Sequence, residues 1–304
     1  MNNVVFTKVS IFRNLKDYKF TNKLDSSKMQ EILAKLEKST DLNKLDLSQT
    51  DVSVLNYLEN YRLVYKPVST IFIKKNENLS INLFAGEHIS IVSTDVGFNL
   101  ETVNKALDVA KNLANKIVFA YSDQYGFLTS DLTKMGCGIK IESEINLFAI
   151  KNIGKIEQVK HNVKNLGYSL KELGGDNYIL STLCNLGKSE TEIVEEFKKM
   201  LIKLQDLEIE SAKFLNSTNS DELLDKVARS YAILNSSHLM SLNELKSHLS
   251  LVRLGINLNY LQIDNNILNS LQKLALNKTD FNNKTEMLNL AKNVKAVLKG
   301  EKDE

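Results

Sequence analysis

Few short motifs in this sequence point to a specific chemistry. Residues 187–189 (GKS) resemble the end of a phosphate-binding P-loop, but the glycine needed earlier in that motif is missing. Cys137 lies between two glycines, where either a reactive thiol or a small packed residue would fit. The histidines at 161, 238 and 248 lie in segments with helical periodicity and lack the spacing of metal ligands. No single short motif therefore assigns an activity.

The most informative stretch is a loop with two glycines, followed by a strand-like alternation. Residues 128–138 read LTSDLTKMGCG. This run resembles the signature loop of the bacterial protein-arginine kinases, which belong to the phosphagen (guanidino) kinases. In that family the matching loop is Leu-Thr-Ser-Cys-Pro-Thr-Asn-x-Gly-Thr-Gly. The loop frame is kept here, but Asp131 stands at the position of the family cysteine.

The resemblance extends over nearly the whole chain. Residues 4–14 (VVFTKVSIFRN) resemble the family opening Val-Leu-Ser-Ser-Arg-x-Arg-Leu-Ala-Arg-Asn, and residues 185–196 resemble the entry to its long helix. Residues 225–234 (DKVARSYAIL) and 251–260 (LVRLGINLNY) resemble segments of the helical domain of protein-arginine kinases. Creatine-type kinases lack that domain, so these two segments favour the protein-arginine kinase branch.

The resemblance implies a site for ATP and Mg²⁺, in which fixed cations neutralise the polyphosphate. The family uses arginines, whose planar guanidinium groups bind phosphate oxygens in bidentate fashion. The positions that match those arginines, called the clamp positions below, are Lys8, Ser10, Ser90, Lys140 and Lys171. Three lysines could hold a nucleotide weakly, or could be ordinary solvated lysines in a lysine-rich chain. Two serines cannot replace the lost positive charge, and only Arg13 matches an arginine of the opening motif.

The carboxylates that would hold and deprotonate a guanidinium are also replaced. The family motif Asn-Glu-Glu-Asp-His aligns with residues 84–88 (FAGEH), so both glutamates are gone while Glu87 and His88 remain. His88 is either a nucleotide contact or a structural histidine. The other substrate glutamate of the family lies in a loop that is shortened here, where Asp176 is the nearest carboxylate. Losing a positioned base commonly costs ~10²–10⁴ in rate.

A further family feature is absent from the helical part. Protein-arginine kinases carry an Arg-Asp-x-x-Arg-Ala string there that reads phosphoarginine. In this sequence no arginine follows Arg253. The resemblance therefore implies the body of a kinase without the side chains that make it active.

Composition places the chain among ordinary globular proteins. Its 304 residues are 43% hydrophobic and 25% charged, with a net charge of +2, so no strong field indicates nucleic acid or a membrane. No apolar run approaches the ~20 residues that span a bilayer. Two cysteines, Cys137 and Cys184, make no disulfide framework. We therefore expect a cytoplasmic protein.

Hydrophobic periodicity divides the chain into a mixed part and a helical part. Strands are predicted over residues 4–12, 71–73, 79–84, 88–93, 116–121, 138–148, 168–173 and 178–183. Helices are predicted over residues 26–38, 52–63, 99–115, 153–166, 189–207, 221–239, 241–254, 265–276 and 284–298. Ser189 with Glu192, and Ser241 with Glu244, predict capping boxes, and Gly255 predicts a helix end.

This order of elements predicts an α+β fold. The resemblance implies a phosphagen-kinase-type, glutamine-synthetase-like antiparallel sheet with flanking helices, followed by an all-α domain. We place the catalytic-type domain at residues 1–207 and the helical domain at residues 208–304.

Two functional hypotheses follow. In the first, the chain is an impaired or inactive protein-arginine kinase that acts as a regulatory or scaffolding partner. Its partner would be an active kinase, an activator, the heat-shock repressor or the Clp protease system that the family serves, and a homo- or heterodimer is possible. In the second, it is an active ATP-dependent arginine kinase whose phosphate clamp is rebuilt with lysines, with Glu87 or Asp176 as base. The exposed faces of the helices at 221–239 and 241–254 are candidate partner surfaces.

Overall fold

A computed structural model of the chain describes residues 1–183, 185–276 and 283–300, so Cys184 lies outside the described residues. Its centre is an eight-stranded sheet in the order β2-β3-β4-β5-β1-β8-β10-β9, in which every neighbouring pair is antiparallel. Its strands are β1 (Val4–Arg13), β2 (Asn43–Asp46), β3 (Thr70–Lys74), β4 (Leu79–Leu83), β5 (Ile89–Val96), β8 (Ile139–Asn146), β9 (Tyr168–Gly174) and β10 (Asn177–Thr182). The short strands β6 (Tyr121–Ser122) and β7 (Gly126–Phe127) form a separate hairpin. The predicted antiparallel α+β architecture is confirmed.

Helices surround the sheet and continue beyond it. They are α1 (Ser26–Glu37), α2 (Val52–Asn60), α3 (Leu100–Ala114), α4 (Phe148–Asn152), α5 (Ile156–Asn165), α6 (Glu190–Ser236), α7 (Leu242–Asn257), α8 (Asn265–Leu276) and α9 (Lys284–Lys299). No helix within the described residues is long and apolar enough to cross a membrane.

The central strand β1 divides its side chains between two faces of the sheet because successive side chains of a strand alternate. Val9 and Ile11 are fully buried in the main core, where they meet side chains of α3, α5 and the first part of α6. Lys8 and Ser10 lie on the opposite face. There α2 and the segment that follows it cover the sheet, with Leu63 in the smaller apolar cluster.

The longest helix, α6, begins at the predicted capping box. The Ser189 side chain accepts a hydrogen bond from the backbone N–H of Glu192, and the Glu192 side chain accepts one from the backbone N–H of Ser189. Asn219 interrupts the helix with non-helical backbone angles of φ −143° and ψ 45°. The two helices predicted on either side of this point are therefore joined through a kink. The predicted domain boundary after residue 207 falls inside α6, ahead of the kink, and stays a prediction.

The helical part is held together by its own apolar core, which α6, α7, α8 and α9 share through Leu234, Leu245, Leu271 and Val294. The second predicted capping box, Ser241 with Glu244, is confirmed at the start of α7. The predicted end of this helix at Gly255 is wrong, because α7 continues to Asn257.

Gly255 has a packing role instead of a terminating one. A Cβ atom at this position would lie 2.5 Å from Cγ1 of Val227 on α6 and 3.0 Å from Cδ1 of Leu261. A glycine at this position lets the two helices approach closely. In the sequence alone, a glycine needed for packing looks the same as one that ends a helix.

The strand predicted over residues 116–121 is largely absent. Phe119 makes only an isolated bridge to Leu15, and regular pairing begins at Tyr121. Ile117 and Phe119 are nevertheless buried in the main core. The alternating apolar residues here belong to a connecting segment that packs against the main core, and not to a regular strand.

Candidate functional site

Three clamp positions come together on one face of the sheet. In the pairing of β1 with β8, Lys8 lies opposite Glu142 and Ser10 lies opposite Lys140. The Lys140 ammonium lies 2.7 Å from Oε1 of Glu142. A carboxylate therefore occupies the middle of the group of residues that would have to attract a polyphosphate.

Glu142 is held as a carboxylate by its two lysines. Burial would raise the pKa of Glu142, but Lys140 and Lys8 bring that pKa below its ordinary value. Burial lowers the pKa of Lys8 to about 8, a change that Glu142 opposes while Lys140 and Arg62 add to it. Burial thus makes the Lys8 ammonium easier to deprotonate. The charge of Lys140 is paired with that of Glu142.

A segment of six residues covers this face, and we call residues 61–66 the strap. Tyr65 lies over the clamp positions. Its hydroxyl is 2.7 Å from Oγ of Ser10, and its ring centroid is 3.7 Å from Nζ of Lys8. The Phe12 ring packs against the Tyr65 ring at a centroid distance of 6.1 Å. Burial raises the pKa of the Tyr65 hydroxyl, which keeps it neutral.

Polar side chains of the sheet fasten the strap backbone. Ser80 Oγ and Asn82 Nδ2 both donate to the carbonyl oxygen of Leu63, at 2.6 and 2.8 Å, and Asn82 Oδ1 accepts from the Tyr65 N–H at 2.9 Å. Ser80 and Asn82 are fully buried, so these bonds are not shared with solvent. At the other end of the strap, the Arg62 guanidinium pairs with the buried carboxylate of Glu144.

The remaining clamp positions do not complete a cationic site. Ser90 is fully buried, and its hydroxyl has no hydrogen-bond partner among the described residues. Lys171 is exposed on the edge strand β9, in the row of Ile179 and Glu144, away from the row that joins Ser10 to Lys140. As they stand, the clamp positions do not form an open triphosphate site, and their assignment to ATP stays a prediction.

Glu87 is a buried anchor for the glycine loop. It is fully buried, and Oε2 accepts hydrogen bonds from Asn14 Nδ2 at 2.7 Å and from the Ser130 N–H at 2.9 Å. Its other oxygen, Oε1, accepts from the Ser130 hydroxyl at 2.8 Å and lies 3.7 Å from Nζ of Lys134. Two of these hydrogen bonds come from Ser130, so Glu87 orders the start of the loop.

His88 uses both ring nitrogens within the protein. Nδ1 accepts from the Leu15 N–H at 3.0 Å, so Nε2 carries the proton and donates to the carbonyl oxygen of Lys19 at 2.8 Å. Burial lowers the pKa of His88 below its usual range. This geometry favours the structural interpretation of His88, because neither ring nitrogen is left for a nucleotide.

Asp176 lies at the far end of the sheet from Glu87. Its carbonyl oxygen accepts a hydrogen bond from the N–H of Leu147, just past the end of β8, whereas Glu87 precedes β5 beside Asn14, near the start of β8. The eight residues of β8 separate these two ends, which corresponds to ~20 Å or more. The two predicted carboxylates therefore cannot both contact one guanidinium group.

The neighbours of Asp176 lie on the helices α4 and α7. Its Oδ2 accepts from the Ser250 hydroxyl on α7 at 2.9 Å, and Oδ1 lies 3.8 Å from Nζ of Lys151. These contacts join the β9–β10 hairpin to the helices. The role of Asp176 as a base stays a prediction.

The glycines of the signature loop permit a close approach of the buried Arg13. A Cβ atom at Gly138 would lie 2.5 Å from Nη1 of Arg13, which donates to the carbonyl oxygens of Phe12 and Cys137 at 2.8 and 3.0 Å. The Arg13 guanidinium also lies 3.5 Å from the ring centroid of Phe127. Burial lowers the pKa of Arg13 to about 10 and raises that of the Cys137 thiol to about 11. The thiol is therefore a packed group and not an activated nucleophile.

Sequence reasoning missed the residues that close the clamp face, namely Tyr65, Arg62, Asn82 and Glu142. Nothing in the local pattern around Tyr65 marks it, since it lies in a loop. The detectable signal was the polar alternation of β4, in which Ser80 and Asn82 face away from the main core. Buried polar side chains need hydrogen-bond partners, and the backbone of the strap provides them for Ser80 and Asn82.

Comparison with known families gives two matches that together span most of the chain. Residues 10–211 match the family described as "ATP:guanido phosphotransferase, C-terminal catalytic domain". Residues 220–279 match "Protein-arginine kinase McsB C-terminal domain".

The curated relatives that match this chain include protein-arginine kinases. A protein-arginine kinase of Staphylococcus haemolyticus (strain JCSC1435) is 23% identical over 303 residues, which cover 94% of this chain and 90% of the relative. A protein-arginine kinase of Staphylococcus aureus (strain USA300) is 25% identical over 232 residues, which cover 74% of this chain and 69% of the relative.

Solved structures share the fold. The duplicated taurocyamine kinase from Schistosoma mansoni, with bound transition state analog components, aligns with 82% of this chain at a TM-score of 0.63 and 19% identity. A lombricine kinase aligns with 68% of this chain at a TM-score of 0.58 and 18% identity. The chain spans 37% of the length of the first kinase and 66% of the second. The predicted phosphagen-kinase-type fold is confirmed.

The first family match covers more than half of the 304 residues, and the second covers much of the helical part. The chain belongs to the ATP:guanido phosphotransferase family, with the helical domain of its protein-arginine kinases.

Proposed function

We propose that this protein is a protein-arginine kinase family member that transfers phosphoryl groups poorly or not at all, and that it acts as a regulatory or scaffolding partner. The setting is protein-arginine phosphorylation and stress-related protein quality control in the cytoplasm. The partner is an intact arginine kinase, its activator, the heat-shock repressor or the Clp protease system, in a homo- or heterodimer.

The observation that carries this proposal is the state of the clamp positions. Ser10 and Ser90 are fully buried and neutral, Lys8 lies under the Tyr65 ring, and Lys140 is paired with Glu142. A triphosphate would have to displace the strap and then approach a carboxylate. Electrostatic stabilisation of the transferring phosphoryl group requires the opposite arrangement, with fixed cations directed at it.

The surfaces proposed for a partner lie on the helical part. The second part of α6 exposes Leu224, which is 46% exposed, and α7 exposes a polar face. That face consists of Asn243, Glu244, Lys246 and Ser247. The rest of α7 is largely buried, so we expect α6 to contribute more of the contact.

The test combines a binding and an activity measurement on the purified full chain. We expect no thermal stabilisation by ATP with Mg²⁺ at millimolar concentrations, since a ligand that binds the folded state raises its stability. We also expect no phosphoarginine by mass spectrometry on an arginine-rich protein substrate. An intact protein-arginine kinase assayed in parallel is the positive control. Phosphoarginine formed by this chain at a comparable rate would overturn the proposal.

The alternative is an active kinase with a lysine-substituted clamp, using Glu87 or Asp176 as base. One observation favours it, which is that Lys8 and Lys140 do face the same side of the sheet around Glu142. If this alternative holds, the double variant Lys8→Ala, Lys140→Ala loses both phosphoarginine formation and ATP binding. The double variant Lys226→Ala, Lys203→Ala, which removes two lysines of α6 instead, serves as the matched control.

A further inference from the structure

A cavity of about 400 Å³ opens beside the end of α1, and lysines from three segments of the chain surround it. Lys16 follows β1, Lys35 and Lys38 lie at the C-terminal end of α1, and Lys116 follows α3. The four lysines share the cavity wall with one carboxylate, that of Asp17. Their charges give an excess of three positive charges around one small volume.

Apolar and aromatic side chains form most of the remaining wall. Leu15 and Ile117 pack in the main core, so the cavity is separate from the clamp face, whose cover packs in the smaller apolar cluster. Val118 is 69% exposed, and the Tyr18 ring is half-buried. These groups offer an apolar surface beside the lysines, as is usual in sites for small organic molecules.

The positive charge of the cavity is not neutralised by neighbouring carboxylates. None of its four lysines forms an ion pair with any other residue that the structure describes. The acidic side chains of α1 pair with lysines outside the cavity instead, because Glu31 pairs with Lys28 and Glu37 pairs with Lys44. The cavity therefore keeps cations that are available to a ligand.

The ends of two helices offset only part of this charge. Both α1 and α3 end beside the cavity, and a helix C-terminus carries roughly half a negative charge. The two ends together offset about one of the three excess positive charges, which leaves about two. A ligand with two negative charges matches this remainder.

Contacts within the chain hold two of the lysines in place. Nζ of Lys116 donates to the carbonyl oxygen of Ser39 at 3.0 Å, and Nζ of Lys35 lies 4.8 Å from the ring centroid of Tyr18. The backbone that carries Lys16 is fixed as well, since its N–H donates to a carbonyl oxygen of the segment after α3 at 3.0 Å. Groups that are already ordered lose less conformational entropy when a ligand binds.

We propose that this cavity binds a small organic phosphate monoester, with the phosphate among the four lysines and the organic group against Tyr18 and Val118. A phosphate monoester carries close to two negative charges at pH 7, and lysine ammonium groups bind phosphate oxygens as point charges. The volume of the cavity lies within the range of about 300–1,000 Å³ that is typical of small-molecule sites. The cavity lies apart from the clamp positions, so the inference goes beyond the proposed function and does not depend on it.

The experiment titrates phenyl phosphate, phenyl sulfate and inorganic phosphate into the purified full chain, by calorimetry and by ligand-observed NMR. We expect phenyl phosphate to bind at least about tenfold more tightly than phenyl sulfate, which has the same ring but one negative charge. It should also bind more tightly than inorganic phosphate, which has no apolar group to bury. No binding of phenyl phosphate at millimolar concentrations, or equal affinity for either of the other two ligands, would overturn the inference.

Charge variants locate the binding site. The double variant Lys16→Gln, Lys38→Gln removes two exposed lysines that make no side-chain hydrogen bond within the described residues, so we expect it to fold. Its affinity for phenyl phosphate should fall at least about tenfold. The matched control, Lys203→Gln, Lys226→Gln, removes two exposed lysines of α6 and should bind as the unaltered chain does. An equal loss in both variants would mean a general charge effect and would contradict the site.

The same variant separates this site from the proposed function. Thermal stabilisation by ATP that disappears in Lys16→Gln, Lys38→Gln comes from this cavity and supports the inference. Stabilisation by ATP that persists in that variant comes from elsewhere and counts against the proposed closure of the clamp face. Loss of phenyl phosphate binding in that variant would still support the cavity site.

Discussion

Two regions of this protein hold lysines beside carboxylates, and they differ in how closely the charges pair. On the clamp face, Lys8 and Lys140 share Glu142, and Tyr65 of the strap lies over Lys8. In the signature loop, Lys134 lies beside Glu87 and Asp131 with part of its side chain in solvent. Exposure does not separate the two regions, since the side chains of Lys140 and Glu142 are 35% and 23% exposed and that of Lys134 is 20% exposed. They differ in their carboxylates, because the Lys140 ammonium lies 2.7 Å from the partly exposed Glu142, whereas Nζ of Lys134 lies 3.7 Å from Oε1 of the fully buried Glu87.

The largest expected loss of stability comes from removing the hydrogen bonds that hold the strap. Asn82→Ala leaves the Leu63 carbonyl with one fewer donor and the Tyr65 N–H without its acceptor, at a fully buried position. Each unsatisfied buried group costs about 1–3 kcal/mol, so we expect a loss of about 2–4 kcal/mol in the free energy of unfolding. Urea denaturation measures it, and Asn243→Ala on the exposed face of α7 is the control. A loss no larger than that of the control would mean that the strap is not held by this residue.

The second effect is a pH dependence that reports the burial of Lys8. Its pKa is lowered from 10.5 to about 8 in the folded state. Between these values the unfolded chain binds more protons, so stability rises with pH across pH 8 to 10. We expect the unaltered chain to gain about 1–2 kcal/mol over this range relative to Lys8→Met. Parallel stability curves for the two proteins would contradict the burial of a charged amine under Tyr65.

A smaller effect is expected from the Tyr65 hydroxyl alone. Tyr65→Phe keeps the ring over Lys8 but leaves the buried Ser10 hydroxyl without this partner. We expect a loss of about 1 kcal/mol, the usual contribution of one hydrogen bond. If the double variant Tyr65→Phe, Ser10→Ala recovers most of that loss, the cause is the unsatisfied hydroxyl. No recovery would place the effect elsewhere.

The smallest effect is expected in the loop, which sharpens the contrast with the clamp face. Lys134→Ala removes a partly exposed cation whose carboxylate distances exceed hydrogen-bond length. We expect the free energy of unfolding to change by less than about 0.5 kcal/mol. Denaturant titration beside Lys226→Ala measures this difference. A loss of several kcal/mol would show that Lys134 compensates the buried Glu87 carboxylate.

Local signals in the sequence predicted local structure well. The capping boxes at Ser189 and Ser241 are confirmed because each is a contact within four residues of chain. The strand predicted over residues 138–148 is confirmed as β8, whose Ile139, Ile141 and Ile145 lie in the main core. The failures are places where a distant partner decides the outcome. Gly255 lies inside α7, where Val227 and Leu261 approach it closely, and Ile117 and Phe119 are buried although Phe119 makes only an isolated bridge.

For the candidate site, the family resemblance predicted which residues belong to it but not how these residues are arranged in space. Lys8, Ser10 and Lys140 share a face, as a regular pairing of β1 with β8 requires. Glu87 and Asp176 lie near opposite ends of β8, which could not be read from either local motif. Tyr65 was unpredicted because its role depends on Ser10, far away in sequence.

The sequence by itself determined the family and the antiparallel α+β architecture, because these follow from residue identity and short-range periodicity, and it predicted the clamp positions. Only the tertiary structure decided that Glu142 lies beside Lys8 and Lys140, and that Tyr65 of the strap lies over Lys8. It also decided that Lys134 lies near Glu87 and Asp131. The physical reason is that burial and electrostatic interaction depend on distance in space. Strand pairing brings together charged side chains that are far apart in sequence, such as Lys8 and Glu142, and these then form ion pairs or shift one another's pKa.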